Sequence, residues 1–187
     1  MKPHMLEKNR TVSLALVASL VAMSAGFRLA KHIALGSVQF VNFPAVFTIL
    51  GGLLLGHTAG FLIGFLSFLV SDFFIGSAGP WTIATSLSMG LVGALSPLAC
   101  RIKGHVSLAR LAVSSYLLVL VYDILSSILW LVPTTPLQVA ISMSIIGLFL
   151  PSSLVFYPVG LVTEVVTTSL IVLIYPKIRG IWREIEL

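Results

Sequence analysis

The feature that most constrains this chain is a succession of apolar runs close to twenty residues long, separated by short breaks rich in glycine, proline or charge. A helix that crosses about 30 Å of hydrocarbon at about 1.5 Å per residue needs roughly 20 such residues. Only 9% of the 187 residues are charged, whereas a soluble domain carries about 25%. The sequence therefore predicts an all-α integral membrane protein, folded as a single transmembrane domain over residues 1–187.

The breaks divide the chain into six predicted transmembrane helices and one shorter apolar segment. We expect the helices at about residues 11–30, 38–55, 58–75, 81–100, 106–132 and 160–175. Residues 137–150 are apolar but end at Pro151, so they are interpreted as a half-helix or re-entrant segment that leads into the last helix. The alternative is a seventh span.

The distribution of basic residues favours six spans over seven. Lysine and arginine collect on the cytoplasmic side of membrane proteins. With six spans, one side receives nine of the eleven, namely Lys2, Lys8, Arg10, Arg101, Lys103, Arg110, Lys177, Arg179 and Arg183. A seventh span would move the last three to the other side. We therefore predict a multi-pass protein of the plasma membrane with both termini in the cytoplasm.

Sequence signals for enzymes are weak. The chain has no His-Glu-x-x-His helix, no Gly-x-Ser-x-Gly turn and no Gly-Lys-Ser/Thr phosphate loop. The predicted topology scatters its four histidines over both faces of the membrane, and the single cysteine, Cys100, excludes a disulfide framework. We expect no catalytic residue, no metal and no cofactor. The basic charge also lacks the aromatic-basic surface of a nucleic-acid-binding protein.

Five ionisable residues fall within or at the ends of the apolar spans: Arg28, Lys31, Asp72, Asp123 and Glu164. Ionisable groups at such positions are costly and usually mark a pathway or a ligand site. The six-span topology places all five in the outer half of the membrane, which predicts a polar chamber that opens outwards. The alternative is structural pairing, for example of Arg28 with Asp72.

Aromatic and small polar side chains accompany these charges. Gln39 and Asn42 lie in the loop after the first helix, and Trp81 and Thr82 begin the fourth. Aromatic rings with a few well-placed polar groups suit a planar organic ligand. The predicted ligand-binding residues are Arg28, Lys31, Gln39, Asn42, Asp72, Trp81, Thr82, Tyr122, Asp123, Ser126, Glu164 and Thr168.

Small residues recur at every fourth position of the first helix, at Ala18, Ala22 and Gly26 and onwards to Ala34. This spacing places them in one stripe, and small side chains allow another helix to approach closely in lipid. The stripe is either an internal packing seam or a docking face for a partner membrane protein.

Taken together, these features resemble the S component, the substrate-binding subunit, of energy-coupling factor (ECF) transporters for vitamins and related micronutrients. The resemblance covers most of the chain and is carried by Asn42-Phe-Pro44, Gly51-Gly52, Gly56, Gly60, Gly64, Ser71-Asp72, Gly79-Pro-Trp-Thr82, Tyr122-Asp123 and residues 158–176. It implies six helices with both ends inside. It also implies a ligand site near the outer face, built by the loop after the first helix and by helices four to six.

The resemblance also implies partners and a mechanism. An Ala-x-x-x-Ala face, matched by Ala18 and Ala22 and extended by Gly26, would dock on the transmembrane T component, which couples to two cytoplasmic ATPases. An S component binds its ligand from outside, rotates in the membrane and releases the ligand inwards. The most similar branch includes cobalamin transporters, so cobalamin or another vitamin-like ring compound is expected.

Two functions of other classes remain open at this point. The chain could be a structural or assembly protein that binds a partner through its first helix and holds its charges in internal pairs. It could also be a membrane enzyme of unknown type.

Overall fold

The computed structural model describes residues 3–36, 40–101, 105–149 and 159–185, with side chains for residues 10–36, 40–101, 105–149 and 160–180. The regular elements in these ranges are the helices α1 (Pro3–Leu35), α2 (Phe43–Leu55), α3 (His57–Ile75), α4 (Pro80–Cys100), α5 (Leu108–Leu131), α6 (Leu137–Gly147) and α7 (Val159–Ile185). The expectation of an all-α fold is confirmed.

Five of these helices are long and apolar enough to cross a membrane: α1, α3, α4, α5 and α7. The other two, α2 and α6, are apolar but only 13 and 11 residues long. The membrane-protein class is therefore confirmed, and the count of six spans stays a prediction. The second helix begins at Phe43 rather than near residue 38, because the Asn42 side chain accepts a hydrogen bond from the N–H of Ala45 at 3.1 Å and caps it there.

The helices α1, α2, α3, α4, α5 and α7 run in alternating directions along the chain, so the bundle has two distinct ends. One end, called here the site end, gathers the last turns of α1, α3 and α5 and the first turns of α2, α4 and α7. Arg101, Arg110, Lys177 and Arg179 lie towards the opposite end. The positive-inside rule identifies that opposite end as the predicted cytoplasmic one.

The centre of the bundle is α2, which contacts α1, α3, α4 and α7. Gly52, Gly60 and Gly93 bring α2, α3 and α4 together, and a Cβ atom on any of the three would overlap a neighbouring backbone. Close backbone approach through glycine is a common way to pack helices in lipid. It holds α2, α3 and α4 in one tight layer.

The short helix α6 covers most of the segment that the sequence interprets as a half-helix. It packs on α5 and buries Ala140 and Ser144, which lie one turn apart. Leu148, just after α6, lies beside Gly160 at the start of α7. The segment therefore leaves α5 at the site end and returns to the beginning of α7 at that same end.

Candidate functional site

A cavity of about 330 Å³ opens at the site end between α4, α5, α6 and α7. We call it the main cavity. It is lined by Trp81, Thr85, Tyr122, Asp123, Ser126, Ser127, Ser144, Gly147, Leu148, Gly160 and Thr163. Aromatic rings, hydroxyl groups and one carboxylate thus converge on one space, which is the composition expected of a site for a small organic ligand.

Trp81 forms one wall of the main cavity and is held in place by the backbone. Its indole N–H donates a hydrogen bond to the carbonyl oxygen of Ser77 at 2.9 Å. The same ring lines an adjoining cavity of about 280 Å³, which Trp130 also lines. A fixed aromatic wall gives a planar ligand a surface to pack against without an entropic cost of ordering it.

Asp123 supplies the carboxylate of the main cavity. Its backbone carbonyl accepts hydrogen bonds from the hydroxyls of Ser126 at 3.2 Å and Ser127 at 2.8 Å. Within the described part of the chain, its carboxylate has no basic partner. It can therefore accept a hydrogen bond from an N–H or O–H group that enters the cavity.

Glu164 lies behind the main cavity rather than in its lining. Its side chain is 0% exposed and interacts with the Tyr116 hydroxyl, although neither carboxylate oxygen has a hydrogen bond of good geometry among the described residues. It is also close enough to Asp123 for their charges to interact. Glu164 can thus influence Asp123 from outside the lining of the main cavity.

Arg28 and Asp72 form the ion pair that the sequence left as an alternative. Arg28 Nη1 lies 2.5 Å from Asp72 Oδ1 and also donates to the hydroxyl of Ser71. The guanidinium carbon sits 4.5 Å from the centre of the Phe68 ring, which in turn lies 5.4 Å from the ring of Tyr122. The pair therefore joins α1 to α3, and Phe68 lies between Arg28 and Tyr122, which lines the main cavity.

Arg28 and Lys31 line a different space. This basic cavity, of about 280 Å³, lies between the ends of α1 and α3 and the start of α4, and Trp81 separates it from the main cavity. The predicted binding residues thus fall into two neighbouring cavities rather than one chamber.

Three further predicted residues are structural or lie away from both cavities. Asn42 caps α2, and its backbone N–H donates to the hydroxyl of Thr167 at 2.9 Å, which ties α2 to α7. The Thr82 hydroxyl accepts a hydrogen bond from the N–H of Gly79 at 3.1 Å at the start of α4. Thr168 is buried outside the lining of the main cavity. Gln39 lies outside the described residues.

The stripe on α1 faces away from the bundle. Ala18, Ala22 and Gly26 are exposed, whereas Val17 and Val21 on the neighbouring face are buried. A Cβ atom placed on Gly26 would meet nothing within 4 Å. The stripe is therefore free to meet another helix and is not a packing seam within the described chain.

The sequence interpretation missed the contribution of α6 to the site. Ser144 and Gly147 line the main cavity from this short helix, and Thr85 lines it from α4. The only sequence signal was a small residue at each of Ala140, Ser144 and Gly147 on an otherwise apolar helix.

A comparison with models of known protein families identifies the family of this chain. A model of the family "ECF-type riboflavin transporter, S component" matches residues 8–177. The chain belongs to this family. Comparisons with curated proteins and with solved structures give no match. The resemblance and the multi-pass plasma-membrane location are confirmed. The cobalamin expectation gains no support, because the matching family is named for riboflavin.

We predict that replacing one member of the Arg28–Asp72 pair destabilises this S component more than replacing both. Asp72→Asn leaves a buried guanidinium without its anion and should cost about 3–5 kcal/mol of unfolding free energy. The double variant Arg28→Gln/Asp72→Asn should recover part of that loss, which a double-mutant cycle measures in detergent.

Asp123→Asn is the matched control, because Asp123 lacks a basic partner among the described residues. Its unfolding midpoint should stay close to that of the wild type. Additive losses in the cycle would show that the pair does not stabilise the fold.

Proposed function

We propose that this chain captures a flavin-type vitamin, with riboflavin as the first candidate, in the main cavity. It then delivers the vitamin inwards through a T component driven by two ATPases. The observation that carries the proposal is the main cavity itself, in which the Trp81 ring and the Asp123 carboxylate border one space at the site end. The family match to a riboflavin transporter S component supports it.

The size of the main cavity favours a compact ring compound. Its volume of about 330 Å³ lies at the lower end of the range of roughly 300–1,000 Å³ for ligand pockets. A tricyclic flavin ring is flat and can pack against Trp81. Cobalamin is a much larger macrocycle with a nucleotide tail, so the volume argues against it.

The polar groups of the main cavity complement a flavin. The Asp123 carboxylate accepts hydrogen bonds and suits the imide N–H of the ring. The hydroxyls of Thr85, Ser127 and Ser144 donate to backbone carbonyls of their own helices, so their oxygens can accept hydrogen bonds from the hydroxyl groups of a polyhydroxylated side chain. Because these groups come from α4, α5 and α6, a bound ligand would draw three helices together.

Glu164 has an indirect role in this proposal. It is buried next to Asp123 and does not border the ligand space. Its carboxyl group lies close enough to Asp123 to influence how strongly Asp123 accepts a hydrogen bond. It is therefore a positioning residue for the main cavity.

Docking on the T component is proposed through the stripe of α1. Ala18, Ala22 and Gly26 present a smooth exposed surface, and such surfaces let helices approach closely in lipid. The chain carries no phosphate loop, so ATP hydrolysis would belong to the partner subunits.

We predict that Trp81→Ala and Asp123→Asn each weaken riboflavin binding by about tenfold or more. The first removes the aromatic wall and the second weakens a charge-assisted hydrogen bond worth about 1.5–3 kcal/mol. The measurement is a titration of the purified protein in detergent, followed by quenching of flavin fluorescence.

Phe74→Ala is the matched control for Trp81→Ala, because Phe74 is an exposed aromatic residue at the site end and does not line the main cavity. It should bind riboflavin like the wild type. If all three variants bind equally well, the ligand lies elsewhere. If the wild type binds no flavin but retains another vitamin, the ligand is wrong, and the same two variants then test the site with that vitamin.

We predict that the double variant Ala18→Leu/Ala22→Leu abolishes vitamin uptake by cells and leaves binding by the purified protein unchanged. Leucine side chains would hold the partner helix away from α1. Ala78→Leu is the control, because Ala78 is exposed, lies outside α1 and lines neither the main cavity nor the basic cavity. Loss of binding in the double variant would contradict a docking role for the stripe.

A further inference from the structure

The basic cavity is distinct from the main cavity and has no role in the proposed capture of the vitamin. It lies between the ends of α1 and α3 and the start of α4, with a volume of about 280 Å³. Trp81 borders both cavities, and its hydrogen bond to the carbonyl of Ser77 fixes the wall between them. A group held in the basic cavity therefore occupies its own space.

The lining of the basic cavity carries an excess of positive charge. Arg28, Lys31 and His32 all border it. Arg28 is paired with Asp72, but Lys31 is half-buried and has no acidic partner among the residues that the structure describes. Lys31 is also close enough to Arg28 for their positive charges to repel each other. An anion in this cavity would relieve that repulsion.

The basic cavity also lies at the ends of two helices long and apolar enough to cross a membrane, and phospholipid head groups surround such helix ends. Lys31 and His32 precede the end of α1 at Leu35 by one turn, so they lie where the helix leaves the apolar region. Large apolar side chains are exposed close by in sequence on both helices, with Ile33 at 77%, Phe73 at 70% and Phe74 at 73%. A basic hollow between helices with an apolar surface beside it is suited to a lipid phosphate with its acyl chains.

We propose that the basic cavity binds a phosphate group, and that its occupant is the head group of an anionic phospholipid. Lys31 and His32 donate hydrogen bonds to the phosphate oxygens. The acyl chains lie along the exposed apolar side chains at the ends of α1 and α3. A free phosphate ion would make the contacts with Lys31 and His32 but has no acyl chains to contact the apolar side chains. This difference distinguishes a phospholipid from free phosphate.

The test uses the full chain purified in mild detergent and exchanged with either phosphatidylglycerol or phosphatidylcholine. Native mass spectrometry then counts the lipid molecules retained per protein. The test variant is Lys31→Gln/His32→Gln, which leaves the Arg28–Asp72 pair intact. The matched control is His105→Gln/Lys177→Gln, because both of these residues are exposed towards the opposite end.

The wild type and the control should retain phosphatidylglycerol in preference to phosphatidylcholine. The test variant should retain at least about fivefold less phosphatidylglycerol, since each basic residue near a membrane surface contributes about a factor of five. An unchanged unfolding midpoint shows that the test variant is folded. Equal retention by all three proteins, or no preference between the two lipids, would overturn the proposal.

A second arm addresses free phosphate. Inorganic phosphate is added to the protein in phosphatidylcholine, and the unfolding midpoint is followed. Stabilisation of the wild type but not of the test variant, without a preference for phosphatidylglycerol, would overturn the lipid assignment in favour of a soluble anion. No stabilisation, together with retained phosphatidylglycerol, supports the lipid assignment.

Discussion

A charged side chain in the apolar part of a membrane protein must meet an opposite charge, a polar group or a polar cavity, because hydrocarbon offers no water to solvate it. This constraint explains where most of the ionisable side chains at the site end lie. Asp72 meets Arg28 directly. Asp123 and Lys31 each border a cavity instead. The ion pair thus fixes the ends of α1 and α3 relative to each other, and Asp123 and Lys31, which have no ion-pair partner among the described residues, border the two proposed ligand sites.

The packing of the helices that surround the site end depends on close backbone contacts. Gly52, Gly60 and Gly93 hold α2, α3 and α4 in one layer, and a hydrogen bond to the carbonyl oxygen of Ser77 holds the Trp81 ring at the start of α4. The other side of the main cavity is built differently, from α5, the start of α7 and the short α6. One wall is therefore tightly packed, whereas the other includes an 11-residue helix. The proposed ligand would therefore have a tightly packed wall on one side and a short helix on the other.

The class of fold followed from the sequence because the length of an apolar run responds directly to the thickness of the membrane. Trp81, Tyr122, Asp123 and Ser126 were also predicted and do line the main cavity. Helical spacing placed the last three on one helix, and the Gly-Pro break placed the first at a helix start. The stripe at Ala18 and Ala22 was recognised, but only packing could decide whether it faced inwards or outwards.

The remaining residues of the site depend on tertiary contacts that no local pattern contains. Asn42 and Thr82 have side chains that suit a ligand, yet the ends of α2 and α4 use them as caps. Glu164 lies on the correct helix, but its side chain lies behind the cavity. Arg28 and Lys31 line a different cavity from Asp123 because the indole ring of Trp81 lies between the two spaces. Whether each of these residues lines a cavity or stabilises a helix depends on its three-dimensional contacts, which no local sequence pattern shows.

The central claim is that a vitamin ring occupies the space between Trp81 and Asp123. The most direct measurement is an experimental structure of the protein with riboflavin bound, at a resolution that shows side chains. We predict density for the flat ring against Trp81, with an N–H group facing the Asp123 carboxylate and α6 beside the ligand. A ring bound elsewhere on the protein, with the main cavity empty or filled by lipid, would contradict it.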